Sequence, residues 1–247
     1  MLKKYFKKIF IMIFLMFSVI LTAEDNFMAV GNIKIVRPEP LLIKREDLNI
    51  TIEKDSTIKI ESMYTFSNLG EYDIKSTFML WLDQTRENDN KDPNNSNKNN
   101  KGKYIKNIKF YSDYKKSQNL RAVIKFDENI YENQSVGNIQ REWFAISQTI
   151  PSKETGKLGV YYDLQNTGFN RTKKFVYSFD LVSNFSEKNK AEILYINVYN
   201  KSGRKIDSIV YKDYEFKNLT EKKSDKEHYE LLVANVNLDE KLVINFK

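Results

Sequence analysis

The chain has 247 residues, of which 30% are charged and 13% aromatic, and its formal net charge is +7. It contains no cysteine, which excludes disulfide bonds and thiolate metal ligands, so packing must supply its stability. This length suffices for one large hydrophobic core or two small ones. The basic charge is mild and does not indicate a nucleic-acid partner, because a part of it belongs to the first residues.

The first 23 residues have the order of a secretory signal peptide. Four lysines occur within the first eight residues, and residues 9–22 then form an uncharged apolar run that is followed by Ala23, a small residue suited to cleavage. This run of about 14 residues is shorter than the roughly 17–25 that a membrane-spanning helix needs, which argues against the alternative of a membrane anchor. We therefore predict that residues 1–23 are removed on export to the periplasm or the extracellular side of the envelope. Cleavage leaves 36 basic and 33 acidic residues, a net charge of +3.

The mature region alternates apolar and polar residues with a period of two, which is typical of half-buried β-strands. β-branched and aromatic residues dominate these runs. The alternation is clearest in residues 57–67, 72–82, 120–126, 175–181, 229–233 and 242–246. Turn-forming residues separate the runs at hairpin spacing. The pattern predicts about a dozen strands and no long helix, and it favours an all-β, antiparallel sandwich of one domain or two packed lobes.

Two polar segments interrupt the predicted strands. Residues 87–100 contain seven asparagines and almost no apolar side chain, so they cannot bury enough surface to offset the entropy of ordering. We predict a disordered loop there. Residues 166–174 are polar and contain glycine. They divide the mature chain into a β-sandwich region at 24–165 and a second β-rich region at 166–247, which are either two domains or one.

The sequence contains no recognisable active-site motif. His228 is the single histidine, so any Ser-His-acid triad must use it, and zinc sites with two or three histidines are excluded. We interpret His228 as a surface residue, because it begins a predicted strand beside a charged run. No glycine-rich phosphate loop occurs. We expect no catalytic residue and no cofactor.

The asparagine-rich segment has a partial likeness to a calcium loop. Asn88, Asn90 and Asp92 have the spacing of the first three EF-hand ligands. Pro93 and Asn99 stand where that loop requires glycine and glutamate, which removes the turn and the bidentate ligand. We therefore expect no metal site.

Aromatic residues are abundant, with 15 tyrosines and 16 phenylalanines. Several are adjacent in sequence, as in Phe110-Tyr111, Trp143-Phe144 and Tyr161-Tyr162. Neighbours in a strand face opposite sides, so one member of each pair should face solvent or a second layer. A sugar- or peptide-binding platform and ordinary strand packing are both open interpretations.

A series of short motifs resembles a family of secreted bacterial proteins, the domain of unknown function number four-four-two-four. The motifs are Glu46-Asp47-Leu48-Asn49-Ile50, Ile58, Tyr64-Thr65-Phe66-Ser67-Asn68, Asp73-Ile74, Trp143, Gln148-Thr149-Ile150-Pro151, Gly156 and Tyr161-Tyr162. The resemblance covers about residues 28–165 and departs from the family at Ile150-Pro151 and at Leu80-Trp81-Leu82-Asp83. It implies export and a β-rich fold, and it carries over no active-site residue.

These observations favour an exported, non-catalytic binding or structural module whose partner is another envelope protein or polymer. Two alternatives stay open. One is a hydrolase with paired carboxylates, Glu142 and Asp163, since such chemistry needs neither histidine nor cysteine. The other is an outer-membrane β-barrel, because residues 242–247 form an apolar strand close to an aromatic end, although most predicted strands are shorter than the 9–11 residues a barrel needs.

Overall fold

The computed structural model describes residues 27–31, 33–35, 40–85, 104–113, 124–126, 139–179, 190–222 and 224–247. The predicted signal peptide at 1–23 and the asparagine-rich segment at 87–100 lie outside these described residues. Most described residues are in strands, and the one helix among them is the single turn α1 (Phe169–Thr172). No helix in the described part of the chain is long and apolar enough to cross a membrane.

The strands of the described residues run in this order: β1 (Phe27–Gly31), β2 (Lys34–Ile35), β3 (Leu41–Ile52), β4 (Ile58–Asn68), β5 (Ile74–Thr85), β6 (Ile105–Ser112), β7 (Ile124–Phe126), β8 (Ile139–Ile150), β9 (Thr155–Leu164), β10 (Lys174–Ser178), β11 (Lys190–Asn200), β12 (Ile206–Val210), β13 (Lys217–Asn218), β14 (Glu227–Asn237) and β15 (Lys241–Phe246). They form two sheets. Sheet A has the order β12-β15-β10-β1-β5-β8-β7, with β2 also paired to β5, and sheet B has the order β13-β14-β11-β3-β4-β9-β6.

The two sheets pack face to face around one apolar cluster, which confirms the predicted all-β sandwich. Phe66 of sheet B meets Phe78 of sheet A with their ring centroids 5.0 Å apart. Each large side chain of this kind contributes roughly 1.5–3 kcal/mol when it leaves water. Most strand pairs among the described residues are antiparallel, and two pairs are parallel, β1 with β10 and β3 with β11.

Each sheet contains strands from both sides of residue 165. Strands β10, β12 and β15 join β1, β5 and β8 in sheet A, while β11, β13 and β14 join β3, β4 and β9 in sheet B. Both parallel pairs join a strand of region 24–165 to a strand of region 166–247. The polar segment at 166–174 includes α1, whose Phe169 is buried against Phe246 with ring centroids 4.9 Å apart. The two predicted regions therefore share both sheets.

The period-two pattern positions every side chain of sheet B on one of two faces. In β4, Ile58, Ile60 and Phe66 are buried in the core, while Lys59 and Glu61 are exposed on the opposite side. The same alternation runs through β9, where Tyr162 is buried and Tyr161 lies outward. We call the side of sheet B that faces away from sheet A its outer face.

Candidate functional site

One row of polar and aromatic residues crosses the outer face of sheet B. In-register pairs join each member to its neighbour on the next strand. The members of this cross-strand row, from β6 to β14, are Lys109, Tyr161, Glu61, Asn49, Asn197 and Glu230. Neighbouring strands lie about 4.8 Å apart, so the row extends for roughly 24 Å.

Tyr161 lies down on the sheet because its neighbour on the same face is glycine. A side chain at Gly159 would begin 2.8 Å from Cε2 and 2.9 Å from the hydroxyl oxygen of Tyr161, and 3.0 Å from Cε of Met63. The ring thus occupies the space that a side chain at position 159 would fill. Tyr111, on β6 opposite Gly159, is 49% exposed and extends this aromatic surface. Partial burial raises the pKa of Tyr161, and the nearby Glu61 carboxylate raises it further.

Amides hold the middle of the cross-strand row in a fixed arrangement. The Nδ2 group of Asn197 donates to Oδ1 of Asn49 at 3.0 Å. The Oδ1 atom of Asn197 lies 3.1 Å from Nε2 of His228, and this contact is a hydrogen bond when His228 carries its proton on Nε2. The His228 ring is stacked on Tyr199 with the centroids 4.4 Å apart.

Two hydrogen-bonding groups beside Tyr161 have no partner among the described residues. They are the Nδ2 donor of Asn49 and the carboxylate of Glu61, which are paired in register on β3 and β4. Glu61 is also in register with Tyr161 on β9. One free donor, one free acceptor and one aromatic ring therefore lie on three consecutive strands.

The charged groups on the rest of this face largely neutralise one another. Nε of Arg45 donates to both carboxylate oxygens of Asp47 at 2.8 Å, and the guanidinium lies 5.7 Å from the centre of the Tyr195 ring. The Tyr195 hydroxyl donates to Glu230 at 2.6 Å. This hydrogen bond raises the pKa of Tyr195, and the bond to Asp47 raises the pKa of Arg45. The face consequently offers little net charge to a partner.

The candidate residues of the hydrolase alternative lie on different sheets. Asp163 is on β9 of sheet B and accepts a hydrogen bond of 2.7 Å from Nδ2 of Asn107. Glu142 is on β8 of sheet A, in register with Leu82 and Lys125. His228 contacts the amide of Asn197 and the ring of Tyr199, both on the outer face. Among the residues that the structure describes, no group of three or more histidine, cysteine or carboxylate side chains could hold a metal ion.

Two open clefts lie away from the cross-strand row. One, of about 520 Å³, lies between edge strand β12 and residues 213–216, and its acidic residues are Asp207, Asp213 and Glu215. The other, of about 530 Å³, lies between the β3–β4 turn and residues 165–171. Both are shallow depressions at the ends or edges of the sheets.

The sandwich interior contains a second polar cluster that the sequence analysis missed. Glu46 of β3 is fully buried and accepts a hydrogen bond of 3.2 Å from the Ser62 hydroxyl. The members of this interior cluster are Glu46, Ser62, Tyr64, Tyr162, Tyr177 and Tyr211. A signal for it was present, because Glu46 is in phase with the inward residues Leu48 and Ile50.

Burial is the main cause of the altered acidity of this interior cluster. It raises the pKa of Tyr64, Tyr162 and Tyr177 well above the ordinary phenol value, and the Glu46 carboxylate adds to each shift. The Tyr64 side chain is hydrogen-bonded to Ser62 and to Tyr177. The Tyr162 hydroxyl is buried without a hydrogen-bond partner in the described part of the chain.

No family model and no curated protein matches the chain. Solved structures match its fold. A protein of Legionella pneumophila described as nutrient-binding has a TM-score of 0.55 at 8% identity, with 90% of this chain and 72% of that chain covered. A protein of Parabacteroides distasonis described as a protease has a TM-score of 0.44 at 6% identity, with 84% and 40% covered. An M1 zinc metallopeptidase of Deinococcus radiodurans has a TM-score of 0.39 at 11% identity, with 84% and 42% covered.

The Legionella protein therefore shares the fold of this chain. The two protease structures are too distant in geometry to support a functional conclusion, and this chain spans less than half of their length.

Proposed function

We propose that the protein is an exported, non-catalytic binding module of the cell envelope that holds its ligand on the cross-strand row of sheet B. The observation that carries this proposal is the Tyr161 ring lying over Gly159, with Glu61 on the next strand and Asn49 on the strand after it. The Glu61 carboxylate and the Asn49 Nδ2 group have no partner among the described residues. Tyrosine combines a large apolar surface with a polar end, which explains its enrichment at binding surfaces.

Three further observations support the proposed function. The charge order and apolar run of residues 1–23 support export. The Legionella structure with the same fold is described as a nutrient-binding protein, which is compatible with a binding role for this fold. The separation of Glu142 and Asp163 on two sheets weakens the hydrolase alternative.

Binding is tested with the mature protein, residues 24–247, and the insoluble envelope fraction of the native cell. We expect wild-type protein to be retained by this fraction and Tyr161→Ala to lose retention by roughly tenfold or more, which corresponds to about 1.4 kcal/mol. Tyr72→Ala is the matched control, because Tyr72 is 58% exposed but lies in the β4–β5 turn. Equal retention of the wild-type and Tyr161→Ala proteins would refute the proposed site.

The absence of catalysis is tested by complementation of a deletion strain. We expect that Glu142→Ala and Asp163→Ala, introduced one at a time, each restore the wild-type phenotype. His228 is left unchanged in this test because it contacts Asn197 of the cross-strand row. A folded single variant that behaves like the deletion strain would show that the substituted residue is needed for function and would favour a catalytic role for it.

N-terminal sequencing of the envelope-associated protein tests export, with a mature start at Glu24 as the expected result.

A further inference from the structure

We infer that the ligand of the cross-strand row is a carbohydrate chain of low charge, which lies across the strands of sheet B with one sugar ring stacked on Tyr161. This inference rests on the proposed function, because it names the ligand class of the same surface.

The charge of the outer face disfavours a strongly charged ligand. Arg45 is paired with Asp47, and Lys59 lies 3.2 Å from Glu53. At the ends of the cross-strand row, Lys109 and Glu230 have opposite signs, so the row has no uniform potential along its length. A polyanion such as a nucleic acid requires a continuous basic surface, and a cationic segment requires a continuous acidic one.

The chemistry beside Tyr161 suits a ligand with both hydroxyl groups and an apolar face. A sugar ring presents C–H groups on its face, which pack on an aromatic ring, and hydroxyl groups on its rim, which donate and accept hydrogen bonds. The Asn49 Nδ2 donor and the Glu61 carboxylate, which have no partner in the described part of the chain, supply both kinds of partner. Glu230, at the far end of the row, is four strands from Tyr161 and roughly 19 Å away, so a chain of several sugar rings would span the row.

A peptide partner fits this surface less well. A peptide that adds as a strand needs an unpaired sheet edge, but β3, β4, β9 and β11 each have a strand on both sides. A folded protein partner usually covers about 800 Å² per side with an apolar centre. The centre of this face is instead the polar pair Asn49 and Glu61. Leu232, which at 64% is the most exposed aliphatic side chain among the described residues, lies on β14, two strands from Asn49.

The test uses the envelope fraction after two treatments that destroy different ligands. One portion is digested with a protease. Another is oxidised with periodate, which cleaves the vicinal diols of sugars, and is then digested with a muramidase, which cleaves 1,4-linked N-acetylated sugars that have no vicinal diol. Retention of mature wild-type protein, Tyr161→Ala, Glu61→Ala and Tyr72→Ala is measured on each. Glu61→Ala removes an exposed side chain that has no partner among the described residues. It therefore tests the role of the cross-strand row in binding while leaving the stability of the fold almost unchanged.

We expect retention that depends on Tyr161 and Glu61, survives protease and is lost after the combined periodate and muramidase treatment. Retention that protease abolishes, or that survives the combined treatment, would overturn the carbohydrate inference and leave the proposed function standing as long as the dependence on Tyr161 persists. Retention equal in wild type and Tyr161→Ala on the untreated fraction would overturn the proposed function itself. Circular dichroism of each variant confirms that the comparison is made between folded proteins.

Discussion

The interior cluster and the cross-strand row both contain tyrosine and glutamate and share strands β3, β4 and β9, yet they differ in what they can do. Tyr161 and Tyr162 are adjacent on β9, and Glu46 and Glu61 lie on the neighbouring strands β3 and β4. Tyr162 and Glu46 face the core, whereas Tyr161 and Glu61 face outward. The two groups differ in burial. A buried polar atom that has no hydrogen-bond partner in the protein destabilises the fold, whereas an exposed one can bond to water.

We therefore expect the interior cluster to contribute to stability and the cross-strand row to contribute to binding. Inside, the Ser62 hydroxyl and the Tyr64 side chain have partners, so loss of one group leaves another unsatisfied. Outside, water can replace any partner of the exposed Glu61 carboxylate, so its loss should cost little folding free energy. Changes in pH and sequence should therefore affect the two groups in different ways.

The largest expected effect is loss of stability in alkali. Tyr64, Tyr162 and Tyr177 have pKa values raised in the folded protein above the unfolded value of about 10. Below pH 10 these phenols are protonated in both states, so the shifts cost nothing. Above pH 10 the unfolded chain releases protons that the folded chain retains, so the free energy of unfolding falls as pH rises. One unit above the unfolded pKa, each phenol that stays protonated in the folded protein lowers the free energy of unfolding by on the order of 1 kcal/mol.

Urea unfolding at pH 8 and pH 11 measures this loss, and phenolate absorbance reports the ionisation. We expect a late group of tyrosines to ionise together with the loss of the β-sheet signal. Ionisation of every tyrosine before any loss of structure would contradict the buried cluster.

Replacement of the two glutamates separates the inner face from the outer one directly. Glu46→Ala leaves a cavity and an unsatisfied Ser62 hydroxyl, and we expect the free energy of unfolding to fall by about 2–4 kcal/mol. Glu61→Ala is the matched control and should change it by less than about 0.5 kcal/mol. Chemical denaturation of both variants gives the two values. Similar losses for both would show that the face of the sheet does not decide the role of the carboxylate.

The sequence predicted the alternation of the strands better than their arrangement. The pattern at 57–67 placed Ile58, Ile60 and Phe66 in the core, and the structure confirms this. The pairs Phe110-Tyr111 and Tyr161-Tyr162 each have their more exposed member on the outer face, as expected from strand geometry. The parallel pairing of β3 with β11 was not predicted, because it joins residues about 148 positions apart and leaves no local signal.

The candidate site was harder to predict for the same reason. The cross-strand row depends on five separate strand registers, and its members range from Asn49 to Glu230. No spacing within one segment reveals such a row. The interior cluster was missed because Glu46 is charged, although its phase with Leu48 and Ile50 placed it inward. A charged residue in phase with a buried face is therefore a useful signal of a polar core.

Two tyrosine-to-phenylalanine variants should shift stability in opposite directions. The Tyr162 hydroxyl is buried without a described partner, so Tyr162→Phe should raise the free energy of unfolding by about 1 kcal/mol. The Tyr64 side chain is hydrogen-bonded to Ser62 and Tyr177, so Tyr64→Phe should lower it by about 1 kcal/mol. Thermal unfolding would show each change as a shift of roughly 2–4 °C. Shifts of the same sign would mean that the hydroxyl partners do not govern the interior cluster.

The smallest effect on stability, and the sharpest test of the outer face, comes from Gly159→Ala. The added methyl group would lie 2.8 Å from Cε2 of Tyr161 and 3.0 Å from Cε of Met63, so both flexible side chains must move away. The backbone of Gly159 lies outside the left-handed region, so alanine is tolerated there. The reduced entropy of the unfolded chain favours alanine by about 0.4–1 kcal/mol and offsets the lost contacts, so we expect a net change below about 1 kcal/mol.

Ligand retention should respond to Gly159→Ala although stability does not. The displaced Tyr161 ring no longer lies on the sheet, so retention by the envelope fraction should fall towards that of Tyr161→Ala. A double-mutant cycle isolates the cause, because Gly159→Ala in the Tyr161→Ala background has no ring to displace. In that background we expect the substitution to stabilise the protein by about 0.4–1 kcal/mol and to leave retention unchanged. If Gly159→Ala alone retained the ligand as well as wild type does, the position of the ring over the glycine would have no part in binding, and the outer face would differ from the interior only in its exposure to water.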